Sequence, residues 1–546
     1  MSSLLPLIII LLFLSALVIP LMKKIGVRNP ALLLAVLPAS IFIILFQEFL
    51  NLHQHSLALI ESGWGFMQSM EFTWRLDGLS IFFALIISGI GFLVLVYSYY
   101  YMAEYQRKGH FYTYLMIFMG AMLGLALTDN LLVLYLFWEL ASVAAFFLIG
   151  FHHHFRKVRR AAVQALFINT LGGLALLFAV ILTGHIAETY RISQLLDSSI
   201  HLGNHPHYYL ILGLVLLAAL TKSAQFPFHF WMPKSMTTPS PINTYLFSAT
   251  LINTGVFLLF RLHPIMGGTF IWRYVLILLG GISMFLGAFL AIGQRDFKRI
   301  LAYTTISTLG IMILLIGIDT PISLKAALLL FIIHSLYKGS LFMLAGIVYK
   351  STGTHKIHRM GGLFKHLPVT ALVILVALIS MAGVPPMLSS LGKDFIFEAK
   401  LQIPGLNWVL IPLIVGTNIL MVGVSIVLFW ELFVKRSTPI SSTIKYTERN
   451  FPLYFVLIPA LLAVLGLLLG LAPALVEVAV TNALYYVQSR ITFADLKLLQ
   501  GFNEALVLSI FTLLSGILVF LIRRPISYRF FKLTKWMNQQ VNRDKK

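Results

Sequence analysis

The chain has 546 residues, of which 59% are hydrophobic and only 11% are charged, with a formal net charge of +21 and no cysteine. Soluble domains carry about 25% charged residues, so this composition excludes a soluble fold and indicates a membrane protein. The lack of cysteine excludes disulfides, iron–sulfur ligation, covalent haem attachment and thiolate zinc sites. No glycine-rich nucleotide-binding loop is present either. Any redox or ATP chemistry would belong to a partner, and we expect no cofactor and no metal in this chain.

Apolar segments follow one another along the whole sequence, and about 20 such residues cross about 30 Å of hydrocarbon. We therefore predict an all-α polytopic membrane protein with about 15 transmembrane helices. The first segment lacks an early positive region and a small-residue cleavage site, so we expect it to be retained as a helix. The predicted spans are residues 4–22, 32–50, 79–97, 111–127, 131–151, 161–183, 208–225, 243–260, 274–293, 300–318, 326–349, 370–384 with a second half to about 398, 408–434, 453–472 and 505–522.

Most of the 40 lysines and arginines fall in the loops after odd-numbered spans. This bias is typical of cytoplasmic loops and argues against nucleic-acid binding. It predicts an N-terminus outside and a C-terminus in the cytoplasm, with a basic tail at 523–546 that meets anionic lipid. The run His152-His153-His154 lies beside Arg156 and Lys157 on this side, and we interpret it as an interfacial cluster rather than a metal site.

Two spans are interrupted by proline, which removes a helical hydrogen bond. Span 7 reaches Lys222 and then meets Pro227, and span 12 breaks at Pro385-Pro386. Broken helices in corresponding halves point to an ion site in transporters built from repeats. The breaks lie five spans apart, and an odd offset reverses orientation. We predict that spans 4–8 and 9–13 form two inverted five-helix repeats, each with a broken helix; ordinary proline kinks are the alternative.

These features predict five segments. They are N-terminal helices at 1–110, a first repeat at 111–260, a second repeat at 272–434, C-terminal helices at 435–522 and the tail at 523–546.

Six ionisable residues lie inside or beside these apolar spans, where a charge costs roughly 2.5–3.5 kcal/mol or more and usually marks an ion path. They are Glu139, Lys222, His334, Lys338, Lys393 and Asp394.

Lys222 lies well inside span 7, where burial favours the neutral amine and a nearby carboxylate favours the ammonium. Glu139 in span 5 is the candidate carboxylate, so the pair could exchange protons. A Glu139 satisfied by a neighbouring helix, with no part in transport, is the alternative. His334 and Lys338 are spaced i, i+4 and share a helix face, which suits a relay because histidine titrates near neutrality. A histidine that is only a hydrogen-bonded core residue is the alternative. Lys393 follows the second break as a candidate terminal donor. The alternative is a loop charge, if the second half-helix does not re-enter the membrane, with Asp394 as its solvated companion.

The strings around these residues resemble the antiporter-like family, which includes the large, L-type proton-pumping subunits of respiratory complex I and the subunits of Mrp-type sodium/proton antiporters. The N-terminal region of the Mrp A subunit is the most similar. The matching strings are Met119-Gly-Ala-Met-Leu-Gly, Asp129-Asn, Phe137-Trp-Glu-Leu, Thr221-Lys-Ser-Ala-Gln-Phe-Pro-Phe, Phe247-Ser-Ala-Thr, Lys338-Gly-Ser-Leu-Phe-Met, Thr352-Gly-Thr, Gly361-Gly-Leu and Met381-Ala-Gly-Val-Pro-Pro.

The resemblance implies inverted five-helix repeats with half-channels joined by a central line of charges. By that match Glu139 and Lys222 form an ion pair, His334 and Lys338 bridge the middle, and Lys393 serves the outlet. The chain departs from the family pattern at four places: Phe247 replaces the usual His, Met232-Pro-Lys234 replaces Leu-Pro-Asp, Asn253 replaces a frequent Lys, and Leu330 replaces a frequent His. The central relay is therefore expected to have fewer polar groups.

The resemblance implies a proton-translocating subunit of a multisubunit Na⁺/H⁺ antiporter of Mrp type, in a bacterial cell membrane with other membrane subunits as partners. It has no redox or hydrolytic site of its own. The alternatives are a membrane-arm subunit of an NADH-quinone oxidoreductase or hydrogenase-like complex, the energising subunit of an inorganic-carbon uptake system, and a purely structural role. The sequence leaves open whether Na⁺, K⁺ or only H⁺ is moved, and it leaves open the stoichiometry and direction of transport.

Overall fold

The computed structural model describes residues 4–55, 59–61, 71–197, 202–401, 405–435, 453–488 and 504–522. Within these ranges, twelve helices are long and apolar enough to span a membrane, and three shorter apolar helices lie at Tyr208–Lys222, Pro368–Ala382 and Leu506–Leu521. Each predicted span coincides with one of these helices, which confirms the all-α polytopic class. The count of about 15 crossings stays a prediction. The tail predicted at 523–546 lies outside the described residues.

The helices follow one another in chain order. They are α1 (Leu4–Lys24), α2 (Ala31–His55), α3 (Gly78–Tyr101), α4 (Lys108–Leu127), α5 (Leu131–Ile149), α6 (Arg156–Ala187), α7 (Ile192–Asp197), α8 (Tyr208–Lys222), α9 (Trp231–Ser235), α10 (Ser240–Thr244), α11 (Thr254–Met266), α12 (Phe270–Ile292), α13 (Phe297–Ile318), α14 (Pro321–Thr352), α15 (Pro368–Ala382), α16 (Leu388–Leu401), α17 (Asn407–Phe429), α18 (Leu453–Leu471), α19 (Ala474–Gln488) and α20 (Glu504–Leu521). Strands β1 (Leu59–Glu61) and β2 (Trp74–Leu76) pair antiparallel.

Side-chain caps fix where several of the long helices begin. Asp77 accepts a hydrogen bond from the Ser80 amide at the start of α3, and Asn130 accepts from two amides at the start of α5. Asp296 caps α13, and Thr320 forms a reciprocal capping box at the start of α14. Each cap satisfies amides that the first helical turn leaves without an intrahelical acceptor.

The two predicted breaks are present. α8 ends at Lys222, Ala224 has a φ of +49°, and the Phe226–Pro227 bond is cis before α9 begins. α15 ends at Ala382, Gly383 has a φ of +69°, and the Pro385–Pro386 bond is cis before α16 begins. A left-handed backbone conformation is most easily adopted by glycine, which is why Gly383 suits the end of α15.

The two halves of the chain repeat the same order of elements. Three long helices (α4, α5, α6) precede the broken pair α8 and α9, and three long helices (α12, α13, α14) precede the broken pair α15 and α16. Each series then ends in an irregular helix. The first contains a π-helical turn at Tyr245–Ala249, and the second ends in one at Trp430–Val434. The bounds of the two five-helix repeats and their inverted orientation stay predictions.

Glycines bring α12 and α13 into backbone contact. A Cβ added at Gly280 would lie 2.6 Å from the Leu314 nitrogen, and one at Gly310 would lie 2.5 Å from the Met284 nitrogen. Small residues permit such close approach where helices pack inside a membrane. α13 is 94% buried over its apolar window, whereas the window of α1 is 33% buried. The second repeat therefore places α13 in the interior, while the N-terminal helices line the edge.

One helix longer than ten residues was not predicted. α19 (Ala474–Gln488) packs against the start of α3, where a Cβ added at Gly78 would lie 2.3 Å from the Asn482 carbonyl oxygen. The sequence of this helix contains Glu477, Thr481, Asn482 and Gln488, so its hydropathy is too low to signal a span. The segment predicted to hold two C-terminal helices thus contains three in its described part.

Candidate functional site

Lys222 is the last residue of α8, and its ammonium points across to α5. The Nζ atom donates to the Trp138 carbonyl oxygen at 2.9 Å and to the Ser142 hydroxyl at 2.5 Å. The same nitrogen lies 4.6 Å from the centre of the Trp138 ring. Lys222 is fully buried. The break after α8 therefore places a lysine where a carbonyl, a hydroxyl and a ring face surround it.

Glu139 follows Trp138 on α5 and lies beside this ammonium without a direct ion pair. Both residues are in the described part of the chain, and no nitrogen–oxygen distance of 4.0 Å or less joins them. The carboxylate Oε1 is buried and accepts no hydrogen bond from the described residues. Lys222 and Glu139 therefore interact through space, and the direct acceptors of the ammonium are neutral groups of α5.

Two glycines of α6 make room for this pair. A Cβ added at Gly173 would lie 1.6 Å from Glu139 Oε1, and one at Gly172 would lie 1.9 Å from the Thr221 hydroxyl. Thr221 precedes Lys222 on α8. The glycine pair thus lets α5 and α8 approach α6 with their polar side chains turned inward.

Lys338 lies on α14 and points to α13. Its Nζ atom donates to the Leu301 carbonyl oxygen at 3.1 Å and also to the Thr304 hydroxyl. Like Lys222, it is fully buried and is held by one main-chain carbonyl and one side-chain hydroxyl of a neighbouring helix. The two lysines therefore have similar neutral acceptor sets on two different helices.

His334 lies one turn before Lys338 on the same face of α14, as predicted. It is fully buried, and its ring stands edge-on to the Tyr337 ring at 5.9 Å between centroids. The Tyr337 hydroxyl lies 3.2 Å from the Thr308 hydroxyl of α13. Hydroxyl groups of α13 therefore lie beside Lys338 and Tyr337, whereas neither ring nitrogen of His334 has a hydrogen-bond partner among the described side chains.

Polar groups also connect α8 with the irregular helix between Ser240 and Met266 and with α13. The Ser223 hydroxyl donates to the Ile252 carbonyl at 2.7 Å, and the Gln225 amide reaches the Ile306 carbonyl at 3.5 Å. Asn253 stands where the related family often has a lysine. Its side-chain amide donates to the Ser248 carbonyl at 3.0 Å.

The π-helical turn at Tyr245–Ala249 leaves that Ser248 carbonyl open to a second donor. Ser335 of α14 also donates to it, at 3.3 Å. Phe247 in the same turn is fully buried, 6.2 Å from the Trp231 ring. The region between α8 and α14 therefore contains hydroxyl and amide groups, with the Phe247 ring on one side.

Lys393 lies on α16, just beyond the second break. It is 5% exposed, and its Nζ has no hydrogen-bond partner within the described residues. Its aliphatic stem packs on the break, because a Cβ added at Gly383 would lie 3.0 Å from Lys393 Cδ. Asp394 is half-buried and accepts a hydrogen bond from Ser509 of α20 at 3.0 Å. Asp394 therefore keeps part of its surface exposed, as its interpretation as a solvated companion requires, and also contacts a neighbouring helix.

The predicted residues thus form three clusters. The structure brings Glu139 near Lys222, keeps His334 with Lys338, and places Lys393 apart at the second break. Sequence reasoning missed the neutral partners Ser142 and Thr304. The spacing of Ser142 three residues after Glu139, on one helix face, was a usable signal.

Sequence reasoning also missed a buried charge cluster at the beginning of α3. Asp77 pairs with Arg75 at 2.6 Å and with Arg261 of α11 at 2.5 Å, and Arg75 lies 3.7 Å from Asp129. Burial alone would raise the pKa of Asp77, but the two guanidinium groups and the Ser80 amide hold it well below its usual value. The cluster lies at the ends of α3 and α4 that face away from Arg107 and Lys108.

The arrangement places ionisable side chains among neutral hydrogen-bond partners. Buried lysines held by neutral oxygens next to a carboxylate can change protonation without losing all their partners. Among the described residues, no group of three or more His, Asp or Glu side chains is close enough to hold a metal ion. Fold and site together define a polytopic membrane protein with ionisable groups buried at broken helices.

Family comparison agrees with this class. The sequence model described as "NADH:quinone oxidoreductase/Mrp antiporter, TM" matches residues 128–420, and a second, "NADH-Ubiquinone oxidoreductase (complex I), chain 5 N-terminus", matches residues 64–112. The chain belongs to the NADH:quinone oxidoreductase/Mrp antiporter transmembrane family, because the first match covers more than half of its length.

Individual relatives are antiporter subunits by name. The chain is 33% identical to the A subunit of a Na⁺/H⁺ antiporter from Alkalihalophilus pseudofirmus over 94% of its own length and 67% of the relative. It is 44% identical to the A/B subunit of a probable K⁺/H⁺ antiporter from Rhizobium meliloti over 61% of this chain and 33% of the relative. The A1 subunit of a Na⁺/H⁺ antiporter from Staphylococcus aureus is 36% identical over 74% of this chain and 53% of the relative. The chain therefore spans about one third to two thirds of the length of these relatives.

A solved structure has the same fold. A chain in "Structure of Mrp complex from Dietzia sp. DQ12-45-1b" superposes with a TM-score of 0.86 and 30% sequence identity, covering 99% of this chain and 60% of that one.

Proposed function

We propose that this chain is the proton-translocating membrane subunit of a multisubunit monovalent cation/proton antiporter of Mrp type. The proposal rests on the position of Lys222 at the first break. There a fully buried ammonium is held by Trp138 and Ser142 of the helix that also carries Glu139. The names and the fold of the relatives support antiport as the activity to which such a site contributes.

In the proposed mechanism protons enter near Glu139 and Lys222, cross the middle through His334 and Lys338, and leave by Lys393. Loss of the Lys222 proton weakens its attraction to Glu139 and frees the carboxylate to accept the next proton. Moving one elementary charge across 100 mV is worth about 2.3 kcal/mol, which is the scale of the work that the chain would use or oppose. Na⁺ or K⁺ would be the exchanged ion in the complete assembly.

The proposal includes orientation and partners. Most basic residues lie on the side where α1 and α3 end, so this side would face the cytoplasm, with the N-terminus outside. Exposed apolar faces such as those of α1 and α6 would contact lipid and other membrane subunits of the complex.

The test replaces Lys222 by Ala and measures proton flux driven by a cation gradient in inverted vesicles that contain the full set of subunits. We expect flux to fall to background, because the described residues bring no second ammonium to Trp138 and Ser142. Lys234→Ala is the matched control, since Lys234 is exposed and bonds to Gln164. Flux in Lys222→Ala equal to that of the control would overturn the mechanism.

A membrane-arm subunit of an NADH:quinone oxidoreductase-like complex is the second candidate, because the matching family model includes both classes. Isolation of the chain from its native membrane separates them. Small cation-antiporter subunits would co-purify in the first case, and iron–sulfur and flavin subunits in the second.

A further inference from the structure

A cavity of about 900 Å³ lies at the edge of the bundle, and the buried charges of the proposed path do not line it. It is bordered by the end of α1, the connection to α2 and the start of α4. None of its lining residues belongs to the proposed proton path.

The charges around this cavity have one sign. Lys23, Lys24, Arg28 and Lys108 line it, and its lining contains no aspartate or glutamate. Within the described part of the chain, the ion pairs do not involve Lys23, Lys24 or Arg28. The Lys108 ammonium donates to the Ala103 carbonyl, which leaves its charge unbalanced. The cavity therefore has a strong unmet preference for an anion.

The remaining walls are apolar and continue into an exposed apolar face. Ile19, Pro20 and Val27 line the cavity. Leu17, Leu21 and Ile25 on the same stretch are 69%, 56% and 79% exposed. α1 itself has 33% of its apolar window buried. A ligand here meets positive charge at one end and a hydrocarbon-like surface at the other.

The packing of the two N-terminal helices keeps this cavity open on its outer side. α1 packs on α4, where a Cβ added at Gly120 would lie 3.1 Å from the Phe13 ring. α2 packs on α3 instead, where a Cβ added at Gly89 would lie 3.0 Å from the Phe42 ring. The two helices therefore sit on different neighbours, and the cavity lies where they diverge.

We propose that this cavity binds the headgroup of an anionic phospholipid, with the phosphate against Lys23, Lys24 and Arg28 and the acyl chains along the exposed face of α1. Basic pockets between transmembrane helices are suited to anionic headgroups, and each basic residue near the surface contributes to the attraction. A free anion would use the charges but not the apolar wall, and a partner protein would need an acidic segment at this depth.

The experiment uses the absence of cysteine in this chain. Gln106→Cys, at the cavity rim, receives an environment-sensitive fluorophore, and the full-length chain in neutral detergent is titrated with phosphatidylglycerol or with phosphatidylcholine. We expect a saturable response to phosphatidylglycerol alone. In the Lys23→Gln/Lys24→Gln/Arg28→Gln background, half-saturation should require at least about tenfold more lipid.

The matched control removes the same charge elsewhere, as Lys356→Gln/Arg359→Gln/Lys365→Gln. These three residues are exposed in the loop after α14. The control should keep half-saturation within about twofold of the parent, since its charges lie outside the cavity. If the cavity triple variant fails to insert, the comparison of the two lipids on the labelled parent still decides.

Four results would overturn the proposal. One is an equal response to both lipids, and another is an unchanged titration in the cavity triple variant. The third is displacement of phosphatidylglycerol by millimolar inorganic phosphate with the same final signal, which would mean a free-anion site. The fourth is a label that responds to phosphatidylglycerol in the isolated chain but is covered in the assembled complex, which would assign the cavity to a partner protein.

Discussion

At the scale of single residues, two lysines of the candidate path, Lys222 and Lys338, are held by neutral oxygens rather than by carboxylates. Lys222 donates to Trp138 and Ser142, and Lys338 donates to Leu301 and Thr304. Neutral acceptors stabilise an ammonium without fixing it as strongly as a direct ion pair would. This arrangement suits groups that must change protonation.

Ser142 should therefore matter for transport although it carries no charge. Ser142→Ala removes one of the two acceptors of the Lys222 ammonium, and losing a partner of a buried charged donor costs roughly 1–3 kcal/mol. We expect proton flux in vesicles to fall by about tenfold, with assembly retained. Ser98→Ala is the control, because Ser98 is also buried and its hydroxyl donates only within α3. Equal flux in both variants would exclude a role for Ser142.

His355, in the loop after α14, should make the stability of the protein depend on pH. Burial and the neighbouring Lys298 lower the pKa of His355 to about 3, and its ring stacks on Tyr349 at 4.1 Å. In the unfolded chain a histidine has a pKa of about 6.5. Between these values the unfolded state binds the extra proton, so this residue's contribution to stability is present above about pH 6.5 and is lost as the pH falls towards 3.

The measurement compares melting temperatures at pH 7 and pH 5 in detergent. The drop in the parent should exceed that of His355→Gln by about 1–2 °C. His185→Gln changes an exposed histidine and should keep the drop of the parent. A His355→Gln protein that loses as much stability as the parent would contradict the assignment.

At the scale of helices, glycines decide how closely the charged elements approach. Gly172 and Gly173 of α6 face the polar side chains of α8 and α5, and Gly280 and Gly310 join α12 to α13. In both cases the neighbour occupies the space that a Cβ would need. These glycines therefore set the distances between α6 and its neighbours α5 and α8, and between α12 and α13.

Gly173→Ala should impair transport with little loss of fold. The new Cβ would lie 1.6 Å from Glu139 Oε1, so the carboxylate must move away from its present position. We expect proton flux to fall by about tenfold or more, because a displacement of about 1 Å at a catalytic group can cost this much. Gly213→Ala on α8 is the control, since no heavy atom lies within 4 Å of its new Cβ. Normal flux in Gly173→Ala would show that the position of Glu139 is not critical.

At the scale of the whole molecule, a buried charge network joins the N-terminal helices to both repeats. Asp77 at the start of α3 binds Arg261 of α11, and His263 of α11 contacts both Asp319 after α13 and the Val487 carbonyl of α19. The N-terminal helices, the irregular helix of the first repeat, the second repeat and the C-terminal segment therefore meet at one membrane face.

Neutralising Asp77 should destabilise this assembly. Asp77→Asn leaves Arg75 and Arg261 without their shared carboxylate, and breaking a buried pair in this way costs about 3–5 kcal/mol. We expect a lower melting temperature and a reduced yield of folded protein. Asp394→Asn is the comparison, because Asp394 is half-buried and bonds to one serine. Equal melting temperatures for the two variants would contradict a central role for the network.

Much of the fold was predictable, because it rests on hydropathy and on proline. Every predicted span coincides with an apolar helix, and both breaks fall at Pro227 and at Pro385-Pro386. α19 escaped prediction because its polar residues lower its hydropathy below that of a span. Arg75, Asp77 and Arg261 escaped because each lies near the end of a span, where a charge is expected to be solvated until tertiary packing buries it.

The candidate site was predictable in part. Glu139, Lys222, His334 and Lys338 could be identified because an ionisable residue inside an apolar span is costly and usually functional. The partners of the two lysines could not be predicted, because half of them are main-chain carbonyls that any residue supplies. The hydrogen bond between Asn253 and Ser248 could not be predicted either, because it depends on the π-helical turn in the backbone.

The main-chain carbonyl oxygens that accept from Lys222 and Lys338 limit what side-chain mutagenesis can detect. Replacing Trp138 or Leu301 changes a side chain but leaves in place the peptide oxygen that accepts from Lys222 or Lys338. An alanine scan, or a comparison of many natural variants, would therefore report both positions through their rings or methyl groups alone. Half of the support for each lysine comes from atoms that every amino acid shares, and only an amide-to-ester replacement of the backbone would make it visible.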